Sequence, residues 1–206
     1  PKIKSGKMIF NIKSISDSGE DKLTGLQDIE LGDISLFIDD ATPGVPSCFP
    51  NCKGANLINF NMSRQVFNMN FVSADLTNAN LQYTGLSGAN MMFVNLLGAD
   101  LYLADLTKTN LNYSRLLMAN LNQANFAGAS MYKANLSNAN LTNANLRNTN
   151  LRNADLTGAN LTKSNLGDAN LGAAKLTGAN LEGAYMNGAI FCNTTMPDGS
   201  VIYNGC

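Results

Sequence analysis

Large apolar residues recur at every fifth position along most of the chain. From Leu76 to Phe191 each of these positions is Leu, Met or Phe, and the residue two places earlier is almost always Ala, Ser or Thr. Side chains alternate along extended backbone, so both residues point inward and the one between them points outward. A strict period of five cannot be a helix face, because a 3.6-residue period drifts out of register. The pattern predicts short strands joined by corners in a solenoid.

The outward positions indicate how many units make one coil. Large outward side chains recur at twenty-position intervals, at Tyr83 and Leu103 and again at Phe93 and Tyr113. With four units per coil, the members of each pair would stack directly, one coil apart. The small inward residues agree with this, because a narrow square interior holds one Leu column and one Ala column on each side. We therefore predict a four-sided coil.

The repeating unit also carries a family resemblance. The motif A-(D/N)-L-x-x, with A-D-L at 74–76 and A-N-L at 159–161, resembles that of the pentapeptide repeat proteins and extends over about residues 64–196. The resemblance implies an all-β fold, a right-handed quadrilateral β-helix with four repeats per coil. The ending at 191–199 is similar to C-terminal segments of cyanobacterial and thylakoid-lumen members.

The parts outside the repeat differ in pattern. Residues 1–47 alternate in apolar positions, with a strand expected near 7–15, so we predict a small N-terminal β-rich appendage. Residues 48–63 are expected to form a disulfide-stapled cap and an irregular first coil, because counting in fives from Leu57 loses the register of the later units. The β-helix would then occupy 64–196. A C-terminal cap, the domain at 197–206, would cover the open backbone of the last coil.

Four cysteines lie in two close pairs, Cys48 with Cys52 and Cys192 with Cys206. An even number in close pairs is typical of disulfides formed in an oxidising compartment. A single zinc site would have to join both pairs, yet with coils spaced by strand distances they would lie roughly 30 Å apart. Free buried thiols stay the second alternative. The pairs predict an extracytoplasmic protein, in a periplasm or thylakoid lumen. The start at Pro1 without a Met indicates a processed or trimmed chain, from which any targeting peptide would already be missing.

Residue types needed for catalysis are scarce. There is no histidine, which removes the commonest general base and the Ser-His and Cys-His dyads. Asp75, Asp100, Asp105 and Asp155 could pair as carboxylates, but each stands at the Asn position of the repeat, so we interpret them as motif variants. No phosphate-binding loop or calcium-binding repeat pattern occurs. We expect no enzyme activity, no cofactor and no metal site.

One set of outward side chains is large and apolar, unlike the small or polar side chains at most other outward positions. Between residues 72 and 118 the outward positions include large apolar side chains, whereas between 137 and 183 they are small or polar. A large exposed apolar patch normally marks an interface. We call the following residues the candidate interaction surface: Tyr83, Met92, Phe93, Leu97, Tyr102, Leu103, Tyr113, Leu117 and Met118. Three explanations stay open: residues 1–47 cover the surface, a protein partner or second copy binds it, or the exposure has no meaning.

Charge and hydropathy limit the class of function. The chain holds 14 Lys and Arg against 15 Asp and Glu, so it lacks the basic field that nucleic-acid binding needs. No apolar stretch approaches the roughly 20 residues that span a bilayer. The sequence predicts a non-enzymatic structural or protein-interaction module, with an unknown protein partner or a homodimer. The family resemblance implies one alternative, a DNA mimic that inhibits a DNA-handling enzyme, and the near-neutral charge argues against it.

Overall fold

The computed structural model describes residues 3–4, 7–8, 48, 51–65, 69–203 and 205–206. The chain divides into two compact units, Pro1–Ile34 and Ser35–Cys206. In the first unit, β1 (Ile3–Lys4) and β2 (Lys7–Met8) pair antiparallel. The remainder of the predicted N-terminal appendage, including the rest of the strand expected near 7–15, lies outside the described residues.

The second unit contains a solenoid in which each strand is reduced to a single parallel bridge. The bridging residue is the one before each inward centre, and it pairs with the equivalent residue of the next coil. From Asn70↔Asn90 to Lys175↔Thr195 every bridge joins positions whose numbers differ by twenty. Four five-residue units therefore make each coil, which confirms the predicted four-sided winding.

The first coil is shorter than the later coils by a single residue. Its three bridges each join positions that are closer by one than those of later bridges: Asn51↔Asn70, Asn56↔Asp75 and Asn61↔Asn80. The Gly85 N–H donates to the carbonyl of Gln65, twenty residues earlier. The Asn90 N–H donates to the carbonyl of Met69, twenty-one residues earlier, and all later coils keep this longer interval. The register shift seen in the sequence therefore falls between Gln65 and Met69.

The interior is a stack of thin apolar layers. Leu141 and the equivalent centres are fully buried, and so are the small residues two places earlier, such as Ala139. Each buried Leu contributes roughly 1.5–3 kcal/mol relative to full exposure, so the solenoid is stabilised layer by layer. In the last coil the centres Leu181 and Met186 are only half-buried, because no further coil covers them.

A β-turn forms each corner. In the turn Leu76–Ala79 the last N–H donates to the first carbonyl (3.0 Å), and Asn78 at the third position has a φ of 55°. This is the pattern of a type II turn, which favours Gly or Asn where φ is positive. Oδ1 of Asp75 accepts the Thr77 N–H (3.0 Å), a donor that the bridges leave free. An acceptor before most centres therefore fastens the corner, which explains the Asn or Asp of the motif.

A short hairpin lies at the C-terminal end. β3 (Thr194–Thr195) pairs antiparallel with β4 (Val201–Ile202). In the connecting turn, the backbone N–H and the hydroxyl of Ser200 both donate to Oδ1 of Asp198, at 2.9 and 2.6 Å. These bonds stabilise the turn that returns the chain across the last coil.

Both predicted disulfide pairings are present. Cys48 is bonded to Cys52, and Cys192 is bonded to Cys206. None of the four cysteines is free, so neither the zinc alternative nor the free-thiol alternative applies to this structure. The disulfides fasten the two ends of the repeat region.

Candidate interaction surface

The third residue of each turn places its side chain at a corner of the solenoid. Five corners in the early coils carry large apolar residues with φ between 55° and 60°: Tyr83, Phe93, Leu103, Tyr113 and Met118. Bulky residues rarely adopt this left-handed conformation, which costs roughly 1–2 kcal/mol per residue. Corners of later coils, such as Asn138, Asn143 and Gly158, carry residues that tolerate it. The early coils thus keep large side chains where the backbone favours Gly or Asn.

Aromatic side chains from successive coils stack along one corner. The rings of Phe93 and Tyr113 are stacked, with centroids 5.1 Å apart and 22° between their planes. Tyr132 meets Tyr113 edge-on at 5.6 Å. The Lys133 ammonium lies 5.8 Å and 5.5 Å from the Tyr113 and Tyr132 centroids, a cation–π arrangement. We call these four residues the Phe93 stack.

A second stack occupies the opposite corner of the coil. The rings of Tyr83 and Tyr102 are perpendicular, with centroids 5.5 Å apart. The Arg64 guanidinium lies 5.3 Å from the Tyr83 centroid, and the Gln123 side chain donates to the Tyr102 hydroxyl at 3.4 Å. We call these four residues the Tyr83 stack. Such aromatic contacts contribute about 0.5–1.5 kcal/mol each beyond area burial, so both surfaces are held in defined conformations.

The nine predicted surface residues fall into two groups. The five corner side chains are exposed, by fractions from 38% at Leu103 to 63% at Met118. The other four occupy the second position of a corner turn and are half-buried: Met92, Leu97, Tyr102 and Leu117. Exposed rings at the corners therefore stand beside partly buried apolar side chains. Their role as a binding surface stays a prediction.

The surface occupies three faces of the early coils, and the fourth is polar. On that face the hydroxyl oxygens of Ser87 and Thr107 are 2.7 Å apart on successive coils. The sequence analysis missed four members of the stacks: Arg64, Gln123, Tyr132 and Lys133. The signal for Lys133 was available, because it follows Tyr113 by the same interval that separates Tyr113 from Phe93 and therefore lies on the same corner.

The four Asp residues that could have paired as carboxylates have the corner role instead. Oδ1 of each accepts the backbone N–H two residues later, at 3.0 or 3.1 Å: Asp75, Asp100, Asp105 and Asp155. Among the described residues, no group of three or more His, Cys, Asp or Glu side chains could hold a metal ion. No helix in the described part of the chain is long and apolar enough to cross a membrane.

This geometry defines a class of protein, the four-sided parallel β-solenoids with a five-residue unit. A sequence model of the family described as Pentapeptide repeats matches with eight copies, at residues 70–107, 104–143, 134–172 and 164–197. The matches span more than half of the chain. The chain therefore belongs to the pentapeptide repeat family, whose fold is the right-handed quadrilateral β-helix.

Several solved structures are similar to this chain. HetL from Nostoc sp. strain PCC 7120, a pentapeptide repeat protein involved in heterocyst differentiation regulation, is 27% identical, with 74% of this chain and 87% of HetL covered and a TM-score of 0.40. A pentapeptide repeat protein from the Arabidopsis thaliana thylakoid lumen is 32% identical over 55% of this chain and 68% of its own, with a TM-score of 0.26. QnrB1, a plasmid-mediated fluoroquinolone resistance protein, is 17% identical over 64% and 77%, with a TM-score of 0.43. No curated protein sequence matches the chain significantly.

Proposed function

We propose that this protein is a non-enzymatic protein-interaction module that acts outside the cytoplasm and binds a protein partner through the candidate interaction surface. The observation that carries the proposal is the backbone conformation of the five exposed corner residues. Gly or Asn occupies most corners of the later coils, and the exceptions there are Lys163, Asp168 and Ala173. Large apolar residues there each cost roughly 1–2 kcal/mol, and a partner that buried them would offset that cost.

The chemistry of the surface agrees with a protein partner. Interface cores are enriched in aromatic residues and Met, and the residues that dominate binding energy cluster where large side chains become fully desolvated. Phe93 and Tyr113 share one corner in successive coils, Met118 lies at the next corner, and all three are exposed. We therefore expect these three side chains to carry most of the binding energy.

The proposed compartment rests on the two disulfides. Disulfides persist in a periplasm, an organelle lumen or another oxidising environment and are rare in the cytosol. Both pairs of cysteines in the chain are bonded. We propose a periplasm or a thylakoid lumen as the site of action.

Replacing the three expected anchor residues by Asn tests the proposed surface. Asn tolerates positive φ, so Phe93→Asn, Tyr113→Asn and Met118→Asn should leave the fold intact or stabilise it. The matched control is Lys163→Asn with Ala173→Asn, at later corners with φ of 56° and 57°. Cross-linked complexes from native extract would be quantified for each variant, and light scattering would report self-association.

The expected result is that the triple variant loses its partner, or its dimer, by at least about tenfold, while the control variant keeps it. A tenfold loss corresponds to about 1.4 kcal/mol, which is below what one interface anchor commonly contributes. Retention of the partner by the triple variant would contradict the proposal. So would a wild-type chain that is monomeric and recovers nothing.

The alternative in which residues 1–47 cover the surface has its own test. Under that alternative, a chain lacking residues 1–47 binds a hydrophobic dye more strongly than the full chain. Unchanged dye binding would favour a surface that is open to a partner.

DNA mimicry is disfavoured by charge. Residues 53–206 hold nine basic and seven acidic side chains, a net charge of +2 (9 − 7), whereas a DNA mimic presents negative charge in place of phosphates. We expect no inhibition of a type II topoisomerase in a supercoiling assay. Inhibition by the wild-type chain would revive this alternative.

A further inference from the structure

We propose that the corner at Ser73 is a slot for an arginine side chain of the protein partner. The guanidinium would stack on the open face of the Phe93 ring and pair with the Asp75 carboxylate. This inference rests on the proposed function, because it names the chemistry that the partner presents to the candidate interaction surface.

The slot arises because the residues at one corner differ in side-chain size from coil to coil. Ser73, Phe93, Tyr113 and Lys133 occupy this corner in successive coils, and the first three each donate their N–H to the next coil, at 2.9, 3.0 and 2.9 Å. The Phe93 and Tyr113 centroids are 5.1 Å apart, which is close to the spacing of strands in a sheet. Their ring faces therefore point along the solenoid axis.

The two rings of this column differ in what covers them. Tyr113 has Phe93 on one side and the Lys133 ammonium on the other. The far face of Phe93 points towards Ser73, whose side chain is only a hydroxymethyl group. Within the described residues, Phe93 has no second ring contact and no cation over it, and it is 48% exposed. On this side of the ring the column therefore presents only the small side chain of Ser73.

The solenoid already fills two equivalent spaces with its own cations. The Arg64 guanidinium lies 5.3 Å from the Tyr83 centroid, and Arg64 occupies the same corner as Tyr83 one coil earlier. The Lys133 ammonium lies 5.8 Å from the Tyr113 centroid, and Lys133 occupies the same corner as Tyr113 one coil later. A cation one coil away thus stacks on a corner ring in this fold. At Phe93 the place that Arg64 takes beside Tyr83 is occupied by Ser73.

Asp75 is the acidic residue nearest to Ser73 along the chain. It follows Ser73 by two residues, and its Oδ1 accepts bonds from Thr77 N (3.0 Å), Thr77 Oγ1 (2.6 Å) and Asn95 Nδ2 (3.0 Å). These bonds fix the carboxylate, while Oδ2 makes no hydrogen bond or ion pair with the described residues. The corresponding residue after Lys133 is the neutral Asn135. Charge therefore favours a cation from outside the chain at the Ser73 corner.

The two contacts together select arginine over lysine. A guanidinium is planar, so it can lie on an aromatic face and at the same time donate to a carboxylate from its edge. A lysine ammonium is a strongly hydrated point charge and cannot make both contacts in one plane. A citrulline side chain has the shape of arginine without the charge, which makes it the matched neutral probe.

The experiment uses the full ¹⁵N-labelled chain and three peptides, acetyl-Gly-Arg-Gly-amide and its lysine and citrulline analogues. The arginine peptide should give saturable amide shifts confined to residues around Ser73, Asp75 and Phe93, with half-saturation above about 1 mM for so small a ligand. Its side-chain methylene protons should move upfield in the ring current of Phe93. The lysine peptide should shift these amides less, and the citrulline peptide should not shift them.

Three variants of the full chain test the assignment. Ser73→Arg fills the slot with the chain's own guanidinium and should abolish the shifts. Asp75→Asn keeps the corner acceptor that the repeat normally uses but removes the charge, and it should raise the half-saturation concentration at least threefold. Asn153→Arg is the matched control, since it adds the same charge on the same corner, at a φ of 57°, far along the solenoid. It should leave the titration unchanged.

Failure of the slot and failure of the proposed function give different results. Shifts that do not saturate, that are equal for citrulline, or that persist in Ser73→Arg overturn the slot. If partner capture is still lost in the triple Asn variant, the interaction surface stands without it. Conversely, saturable arginine binding together with unchanged partner capture in the triple variant supports the slot and overturns the proposed function.

Discussion

A buried serine hydroxyl without a partner offers a direct test of how the solenoid interior is stabilised. Ser164 is 1% exposed, and its Oγ has no hydrogen-bond partner among the described residues. Ser114 is equally buried, but its hydroxyl donates to the Leu111 carbonyl at 2.6 Å. Replacing each serine by alanine therefore removes the same hydroxyl group, once where it makes a hydrogen bond and once where it makes none.

The expected effects have opposite signs. A buried polar group without a partner costs about 1–3 kcal/mol, so Ser164→Ala should raise the free energy of unfolding by about 1–2 kcal/mol. Alanine fits the site, because the same interior column carries Ala144 and Ala184 in the neighbouring coils. Ser114→Ala deletes a hydrogen bond that contributes about 0.5–1.5 kcal/mol and should lower the stability. The two variants should differ by about 2 kcal/mol.

Thermal unfolding followed by circular dichroism measures this difference. In a chain of this length 1 kcal/mol shifts Tm by about 2–4 °C, so the Tm values of the two variants should lie about 4–8 °C apart. Solenoids can unfold in parts, so a second probe, tyrosine fluorescence, should give the same order. A Tm for Ser164→Ala that falls as far as that of Ser114→Ala would refute the reasoning, because it would mean that the Ser164 hydroxyl has a stabilising partner.

Three further predictions concern the core and the C-terminal end. Leu141→Ala should lower the free energy of unfolding by about 2–5 kcal/mol through cavity formation, and a loss below about 1 kcal/mol in urea titration would contradict close packing. Reduction of Cys192–Cys206 should remove about 3 kcal/mol, the value for a loop of about 15 residues, without changing the circular dichroism spectrum at 25 °C; thiols that label without reductant would show that the bond is absent. The pKa of Asp198 should lie below its ordinary 3.8, because the hydroxyl and N–H of Ser200 donate to the carboxylate. The resulting stabilisation of the turn is present above the ordinary pKa and lost as pH falls through the lowered one, and an NMR titration that returned the ordinary value or a higher one would contradict it.

The outward surface was predictable as a set of positions and not as an arrangement. A period of five with four units per coil decides that Tyr83 and Tyr113 point outward and that Phe93 stacks one coil from Tyr113. The same spacing places Lys133 on that corner. It does not say that Tyr132 meets Tyr113 edge-on, because that geometry depends on side-chain rotamers and on the left-handed corner backbone.

The sequence by itself determined the winding of this protein, its inward and outward positions, the register shift in the first coil and the pairing of its cysteines. These follow from local periodicity, because in a solenoid each unit contacts only its neighbours and every coil repeats the same contacts. Only the tertiary structure decided which outward side chains are exposed, and which rings carry a cation. Among the described residues, it also left the face of Phe93 towards Ser73 without a ring or cation and one oxygen of Asp75 without a partner. Those properties arise where neighbouring coils differ in side-chain size, and the repeat does not encode such differences.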